Sequence, residues 1–372
     1  MNQIRVLHVT EKLQAAGIES FIMNMYRNID RNKVQFDFMV MRDEKEFYDK
    51  EIEKMGGRKF TIDISKEMNV FKRIILESIK LNKFLKSNKY SIIHVHSGTP
   101  LRIFYLIAAK LAGVKTRIYH SHSADIIGKE KSKKAIYRLL KSLFPIYATH
   151  CFACSEAAAR WMYPESVFRS NRVVVTHNGI DTTKFMFDES IREKYRKELC
   201  LEGKFVVGHT GRFNEQKNHG FIIDVFYKVA QKSENAVLML IGTGELEAEI
   251  KEKAIQNNLK GKVMFLGVRD DVCNLLQAMD VYFMPSNYEG LPVAAVEAQC
   301  AGLPCVFSNR ITNEVGLTNT VRFLSFDDSI ETWAAALLND FNTNRNEACQ
   351  VVKIYGYDIR DAAMELSKYY IR

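Results

Sequence analysis

The chain has 372 residues, 47% of them hydrophobic and 26% charged, and its 53 Lys and Arg against 44 Asp and Glu give a net charge of +9. That length and balance fit about two ordinary globular domains and exclude a disordered, collagen-like or disulfide-scaffold chain. The basic excess asks for an anionic partner, and nucleic acid, phosphorylated small molecules and acidic membrane surfaces all satisfy it.

In chain order, β-branched runs at 4–10, 34–41, 91–96, 117–120, 151–154 and 173–176 read as strands. Helix-length patterns at 19–29, 71–87 and 101–112 separate them. The first run follows Met1 with no signal-peptide pattern, and the apolar stretch 103–112 is broken by Lys110 and too short to span a bilayer. Seven cysteines are too few and odd in number for a disulfide framework. Cys151-x-x-Cys154 lies in an apolar run with no second Cys or His pair at zinc spacing, so buried strand thiols are expected there. A cytoplasmic protein with reduced thiols follows. Ser155 ahead of Glu156-Ala-Ala-Ala-Arg reads as a helix cap.

A charged helical stretch around 183–203 precedes a second series of strands at 205–209, 237–241, 263–266, 281–284 and 305–307. Strand–helix alternation in both halves predicts two doubly wound α/β domains. The first should span 1–190 and the second 191–352, with a last helical segment at 353–372 returning towards the first domain. Such sheets bind ligands at the carboxyl ends of their strands.

Polar residues collect in the loops after the second set of strands. Gly211-Arg-Phe-Asn-Glu-Gln-Lys-Asn218 brings Arg212 and Lys217 to a helix start, where side-chain charge and helix dipole act together on a diphosphate. A solvated loop with an incidental charge pair reads equally well on this segment alone. After 281–284 comes Pro285-Ser-Asn-Tyr-Glu-Gly-Leu-Pro292, with Glu289 in the loop, Gly290 and Leu291 as backbone donors, and Pro292 suited to a first helical turn. Glu297 then sits in a small, apolar helix, where a carboxylate needs hydrogen-bond donors such as sugar hydroxyls unless it faces solvent.

Tyr-Glu289-Gly-Leu-Pro-x-x-x-x-Glu297-Ala-x-x-x-Gly-x-Pro closely resembles the retaining GT-B glycosyltransferases of family 4. Gly211-Arg212, Gln216-Lys217-Asn218, His177-Asn178-Gly179-Ile180-Asp181 and Phe265-Leu266-Gly267 extend the resemblance over nearly the whole chain. The likeness is to the subgroup that builds capsular and exopolysaccharide repeat units. It implies a GT-B fold, two Rossmann-like domains facing each other across a cleft. It assigns Arg212 and Lys217 to the nucleotide diphosphate, Glu297 to the ribose, Glu289 with the N–H groups of Gly290 and Leu291 to the donor sugar, and Leu266, Gly267 and Val268 to the base. In Tyr119-His-Ser-His-Ser123, His122 matches the histidine that contacts the donor sugar; His120, two residues earlier on the same strand face, is the alternative. The two could also start a metal site, but the sequence offers no evident third ligand. The family's first loop carries two glycines where this chain has Ala15-Ala16-Gly17, which leaves only Gly17 for close approach to diphosphate or acceptor.

The resemblance implies sugar transfer from a nucleotide donor, UDP-hexose or UDP-N-acetylhexosamine, to a lipid-linked or glycan acceptor. It implies no cofactor and no metal, since Arg212 and Lys217 stand in for one, and no committed nucleophile. Asp270-Asp271 is adjacent rather than spaced as a metal motif, and is expected to cap the following helix. A GT-B nucleotide-sugar epimerase and a non-catalytic partner subunit are the rival readings. Gly242-Thr-Gly-Glu-Leu-Glu247 lacks the third glycine of a dinucleotide fingerprint. Residues 129–144 combine Lys129, Lys131, Lys133, Lys134, Arg138 and Lys141 with Ile136, Leu139, Leu140, Leu143 and Phe144. That basic amphipathic pattern predicts peripheral contact with an anionic membrane at the inner face of the cell membrane. No basic–aromatic interleaving or nucleic-acid module is present, so nucleic acid is excluded as partner.

Overall fold

Strands form where β-branched and aromatic residues run uninterrupted, and helices cover them on both sides. The computed structural model describes residues 3–14, 17–42, 44–64, 68–123, 134–339, 341 and 344–371. The chain divides into two units, Met1–Gly179 with Ile359–Arg372, and Ile180–Asp358.

In the first unit, β1 (Ile4–Thr10), β2 (Val34–Val40), β3 (Lys59–Thr61), β4 (Ile92–Ser97), β5 (Thr116–Ser121), β6 (His150–Ala153) and β7 (Val173–Val175) form one parallel sheet ordered β3-β2-β1-β4-β5-β6-β7. Every residue of β2 and β4 is buried, because helices cover both faces. One face packs against helices Val70–Asn88 and Ile103–Leu111, the other against Gly17–Asn28 and Ile359–Ile371.

In the second unit, β8 (Phe205–Thr210), β9 (Ala236–Ile241), β10 (Val263–Phe265), β11 (Val281–Met284), β12 (Cys305–Ser308) and β13 (Val321–Leu324) are parallel and ordered β10-β9-β8-β11-β12-β13. In each sheet the winding reverses once, between β1 and β4 and between β8 and β11. Crevices open at such reversals, beyond the carboxyl ends of the strands.

The strand positions expected from sequence agree with these to within about a residue, but β3 and β13 were not foreseen; both are short edge strands with little full burial. The division between units also falls earlier than 190. Ile180 belongs to the second core, the Thr182 hydroxyl donates to Asp358, and Arg192 and Arg196 of helix Glu189–Glu198 both pair with Asp280. The helical stretch after 353 is likewise two elements. Helix Arg345–Ile354 stays in the second unit, and Ile359–Ile371 buries Ala363, Leu366 and Tyr370 in the first. Among the described residues, no helix is long and apolar enough to cross a membrane.

Candidate functional site

In the second unit, three loops at the carboxyl ends of β8, β9 and β10 are laced together by their backbones. Gly211 N donates to Ile241 O at 2.9 Å, Phe213 N to Thr243 O at 3.1 Å, and Gly242 N to Gly267 O at 2.8 Å. This lacing needs bare backbone. Gly242 has φ +133°, and a Cβ there would overlap the Gly211 carbonyl oxygen. The buried Phe213 ring anchors the first loop from below. Arg212, Gly242, Thr243, Gly244, Glu245 and Val268 line a cleft of about 590 Å³, a size suited to a small molecule.

Arg212 is exposed and pairs with Glu245 at 3.1 Å, a contact of little energy that leaves the guanidinium free to exchange it for a phosphate. Of the three residues expected at the base, Val268 is 78% exposed at the cleft, Gly267 takes a left-handed φ of +66°, and Leu266 N is held by Leu240 O at 3.0 Å. The stretch Gly242–Glu245, set aside in the sequence as an incomplete dinucleotide fingerprint, lines the same cleft as Arg212 and Val268. Its Gly-x-Gly spacing was the available signal.

Lys217 and Glu289 lie 72 residues apart and meet at 2.6 Å, with side chains only 16% and 8% exposed. Gln216 Nε2 donates to the other Glu289 oxygen at 3.0 Å, and Asn287 N donates to Gln216 O at 2.8 Å, so the loops after β8 and β11 hold each other. The ammonium expected at the diphosphate and the carboxylate expected at the sugar thus pair with one another. Beside them, Glu289 bridges to Ile311, Gly290 is exposed, and the backbone N–H of Leu291 has no partner among the described residues. Pro292 is the residue before helix Val293–Cys300, not its first turn.

Glu297 lies on that helix among Ala295, Val296 and Ala298, all buried. Burial pushes its carboxyl up to about 7, and among the described residues it has no hydrogen-bonding or ionic partner. An acid in that position is poised to accept from a ligand's hydroxyls.

In the first unit, His8 of β1, His94 and His96 of β4, His120 of β5 and His122 just beyond it gather on one face of the sheet at the β1/β4 reversal. Their register makes them neighbours, since His8 pairs with His94 across the ladder and His96 with His120. The His120 and His122 rings stack at 4.2 Å, and His96 Nδ1 lies 3.0 Å from His122 Nε2. His120 is fully buried, which removes it as a ligand contact; His122 is half-buried. Burial pushes His122 down to about 3, so it is neutral at physiological pH. The expectation that the pair lacks a third metal ligand is corrected here. Ring nitrogens of His96, His120 and His122 lie within 4.8 Å of one another, and those of His8, His94 and His96 do so too.

Gly17 opens helix Gly17–Asn28, and no described residue lies within 4 Å of where its Cβ would stand, so none of them demands glycine there. Ala15 and Ala16 lie outside the described residues, as do Lys129, Lys131 and Lys133 of the basic segment. What is described of that segment is helix Lys134–Lys141 and the residues to 144; Leu140 and Phe144 are buried in the core, while Ile136 is 50% and Leu139 67% exposed. Lys141 is not a free surface charge, because its ammonium lies over the Trp161 ring and donates to the Trp161 carbonyl. Asp271 precedes helix Val272–Ala278 but does not cap it; its carboxylate pairs with Arg269 at 2.6 Å and accepts from Tyr195 at 3.0 Å. Ser155 does cap, accepting from Ala158 N at 3.1 Å.

Two family models match the chain, Glycosyltransferase Family 4 over residues 15–184 and Glycosyl transferases group 1 over residues 191–357. EpsF of Bacillus subtilis (strain 168), by name a glycosyltransferase, is 36% identical over 346 residues, covering 90% of this chain and 87% of that one. The UDP-Gal:alpha-D-GlcNAc-diphosphoundecaprenol alpha-1,3-galactosyltransferase of Escherichia coli is 34% identical over 243 residues, covering 62% and 61% of the two chains. Among solved structures, Anabaena HepE in complex with UDP superposes with a TM-score of 0.75 over 98% of both chains at 19% identity, a likeness of fold.

Proposed function

The chain belongs to the glycosyltransferases of family 4, and from that premise we propose that it transfers a hexose or N-acetylhexosamine from a UDP-linked donor to a lipid-linked or glycan acceptor, in the assembly of a capsular or exopolysaccharide. One observation carries the reading. The Lys217–Glu289 pair, 2.6 Å apart and largely shielded, stands beside the backbone of Gly290 and Leu291 at the β8/β11 reversal, where the Leu291 N–H has no partner among the described residues. Such a grouping offers a cation and backbone N–H to phosphate oxygens, and a carboxylate to sugar hydroxyls.

The donor lies with its base along Leu266–Val268 and the Gly242–Glu245 cleft, and its ribose hydroxyls donate to Glu297. Arg212 and Lys217 hold the diphosphate, and Glu289 accepts from hydroxyls of the sugar. The bond from the anomeric carbon to the phosphate oxygen breaks while the acceptor hydroxyl oxygen bonds to the same face of that carbon, with retention. The departing phosphate oxygen takes the acceptor's proton, and Lys217, Arg212 and the Gly290 and Leu291 N–H groups stabilise its charge. Two cations serve the leaving group, so no metal ion enters the reaction. The family resemblance assigns His122 to the donor sugar, and its imidazole is neutral. The exposed Ile136 and Leu139 on the basic helix Lys134–Lys141 suit peripheral contact with an anionic bilayer, where a lipid-linked acceptor resides.

The test is a screen of nucleotide-sugars with membrane extract, following release of nucleoside diphosphate with and without chelator. Release that depends on both donor and extract supports the proposal. No release from any donor refutes it, product formed without acceptor points to an epimerase, and loss of rate with chelator refutes metal independence.

A further inference from the structure

Three of the five clustered imidazoles form a continuous hydrogen-bonded chain. His122 Nε2 lies 3.0 Å from His96 Nδ1, and His96 Nε2 lies 3.0 Å from His8 Nδ1. The chain stops there, because His8 Nε2 is buried without a partner. At the other end, His122 Nδ1 is not among the buried unpartnered atoms and has no protein partner among the described residues, so it is the chain's open terminus.

A neutral imidazole has one N–H and one bare nitrogen, so the direction of one hydrogen bond fixes all the others. If the chain donates inwards, from His122 Nε2 to His96 Nδ1 and from His96 Nε2 to His8 Nδ1, then His8 is left with an N–H at Nε2. That hydrogen would be sealed in the interior with no acceptor among the described residues. If the chain donates outwards, His8 carries its proton on Nδ1, His96 on Nδ1 and His122 on Nδ1. The orphan at His8 is then a bare nitrogen. Buried N–H groups without acceptors are the rarer and more costly of the two kinds of orphan. The outward direction therefore prevails.

We propose that His8 and His96 are positioning residues that hold His122 as a neutral imidazole with its proton on Nδ1, presented as a hydrogen-bond donor to a hydroxyl or phosphate oxygen of the bound sugar-nucleotide. The inference rests on the reading above that His122 meets the donor. Burial also keeps the chain uncharged, pushing His8 down to about 3 and His96 well below its ordinary value. Because its inner end is sealed at His8, the chain relays no proton to His122 from behind. His122 is thereby a donor of a hydrogen bond and not a base, in keeping with transfer of the acceptor's proton to the leaving phosphate.

The experiment is long-range proton–nitrogen correlation NMR on the full chain with ¹⁵N-labelled histidine, assigned with His8→Phe, His96→Gln and His122→Gln. Wild-type His8, His96 and His122 should all show the proton on Nδ1. His8→Phe, which keeps the ring's shape beside Phe36, should let His96 and His122 populate the Nε2–H form and lower kcat about tenfold, the worth of one misdirected hydrogen bond, with donor KM within about twofold. A proton on Nε2 of His122 in the wild type, unchanged tautomers in His8→Phe, or a tightly held metal ion on these rings would each overturn the proposal. If His8→Phe does not fold, the wild-type spectrum decides alone. Full transfer by His122→Gln would instead overturn the ligand role of His122, which the tautomer measurement does not assume.

Discussion

Glu297→Gln separates what the carboxylate does to the fold from what it does for the ligand. Burial raises the Glu297 carboxyl from an ordinary value near 4.5 to about 7. At about 1.4 kcal/mol per tenfold change in proton affinity, ionising it in the folded protein costs on the order of 3 kcal/mol. Because the folded value lies above the unfolded one, the stability is complete below about pH 4.5 and is lost as pH rises through about 7. Glutamine keeps the shape and never ionises. The variant should therefore melt with the wild type at pH 4 and above it at pH 8, by roughly 5–10 °C in the transition of the second unit. Nucleotide binding should move the other way. Losing hydrogen bonds from two hydroxyls to a charged acceptor should weaken UDP by about 10- to 100-fold at pH 8. Wild-type affinity should rise from pH 6 to 8 while the variant's stays flat. Scanning calorimetry and titration calorimetry at the three pH values read both effects. Equal melting at pH 8 would refute the desolvation argument, and equal UDP affinity would refute the ribose assignment.

Lys217→Ala and Glu289→Ala should each lower kcat by about 100-fold or more while leaving the far-UV circular dichroism unchanged, since each removes a group meant for the transition state. Near-wild-type turnover in either would show that the donor is held elsewhere. Gly242→Ala places a Cβ against the Gly211 carbonyl at φ +133°, and should abolish measurable UDP binding and lower the melting temperature through strain of about 1–3 kcal/mol. A variant that binds UDP normally would mean that the laced loops do not form the site. Ile136→Asp with Leu139→Asp should reduce co-sedimentation with phosphatidylglycerol vesicles several-fold without affecting UDP binding; unchanged sedimentation would remove that helix from the membrane reading.

Most strands were legible because parallel strands buried on both faces are largely apolar, as 281–284 and 237–241 are. Lys59–Thr61 and Val321–Leu324 escaped because edge strands are under no such constraint. Glu289 and Glu297 were found from local spacing, but the contact of Glu289 with Lys217 spans 72 residues and follows only once β8 and β11 are neighbours. The histidines show the same limit. His120 and His122 share a face by their spacing alone, yet His96 and His8 join them only through the strand order β1-β4-β5. Asp271 stands where a cap should be, and Arg269 competes for its carboxylate more strongly than a backbone N–H does.

The first unit is completed by a helix made only after the whole of the second unit. About 180 residues, the whole of Ile180–Asp358, are synthesised between Gly179 and Ile359, and at bacterial or eukaryotic elongation rates that takes roughly 10–35 s. Throughout that interval the sheet face that carries the five histidines lacks Ala363, Leu366 and Tyr370, and the His94 ring lacks the Tyr370 hydroxyl that lies 2.7 Å from its Nδ1. The inserted unit, continuous in sequence, is free to fold while the earlier one waits. Nascent chains stalled before residue 359 should accordingly protect the second unit from protease while leaving the first open to it, so the order of assembly is the reverse of the order of synthesis.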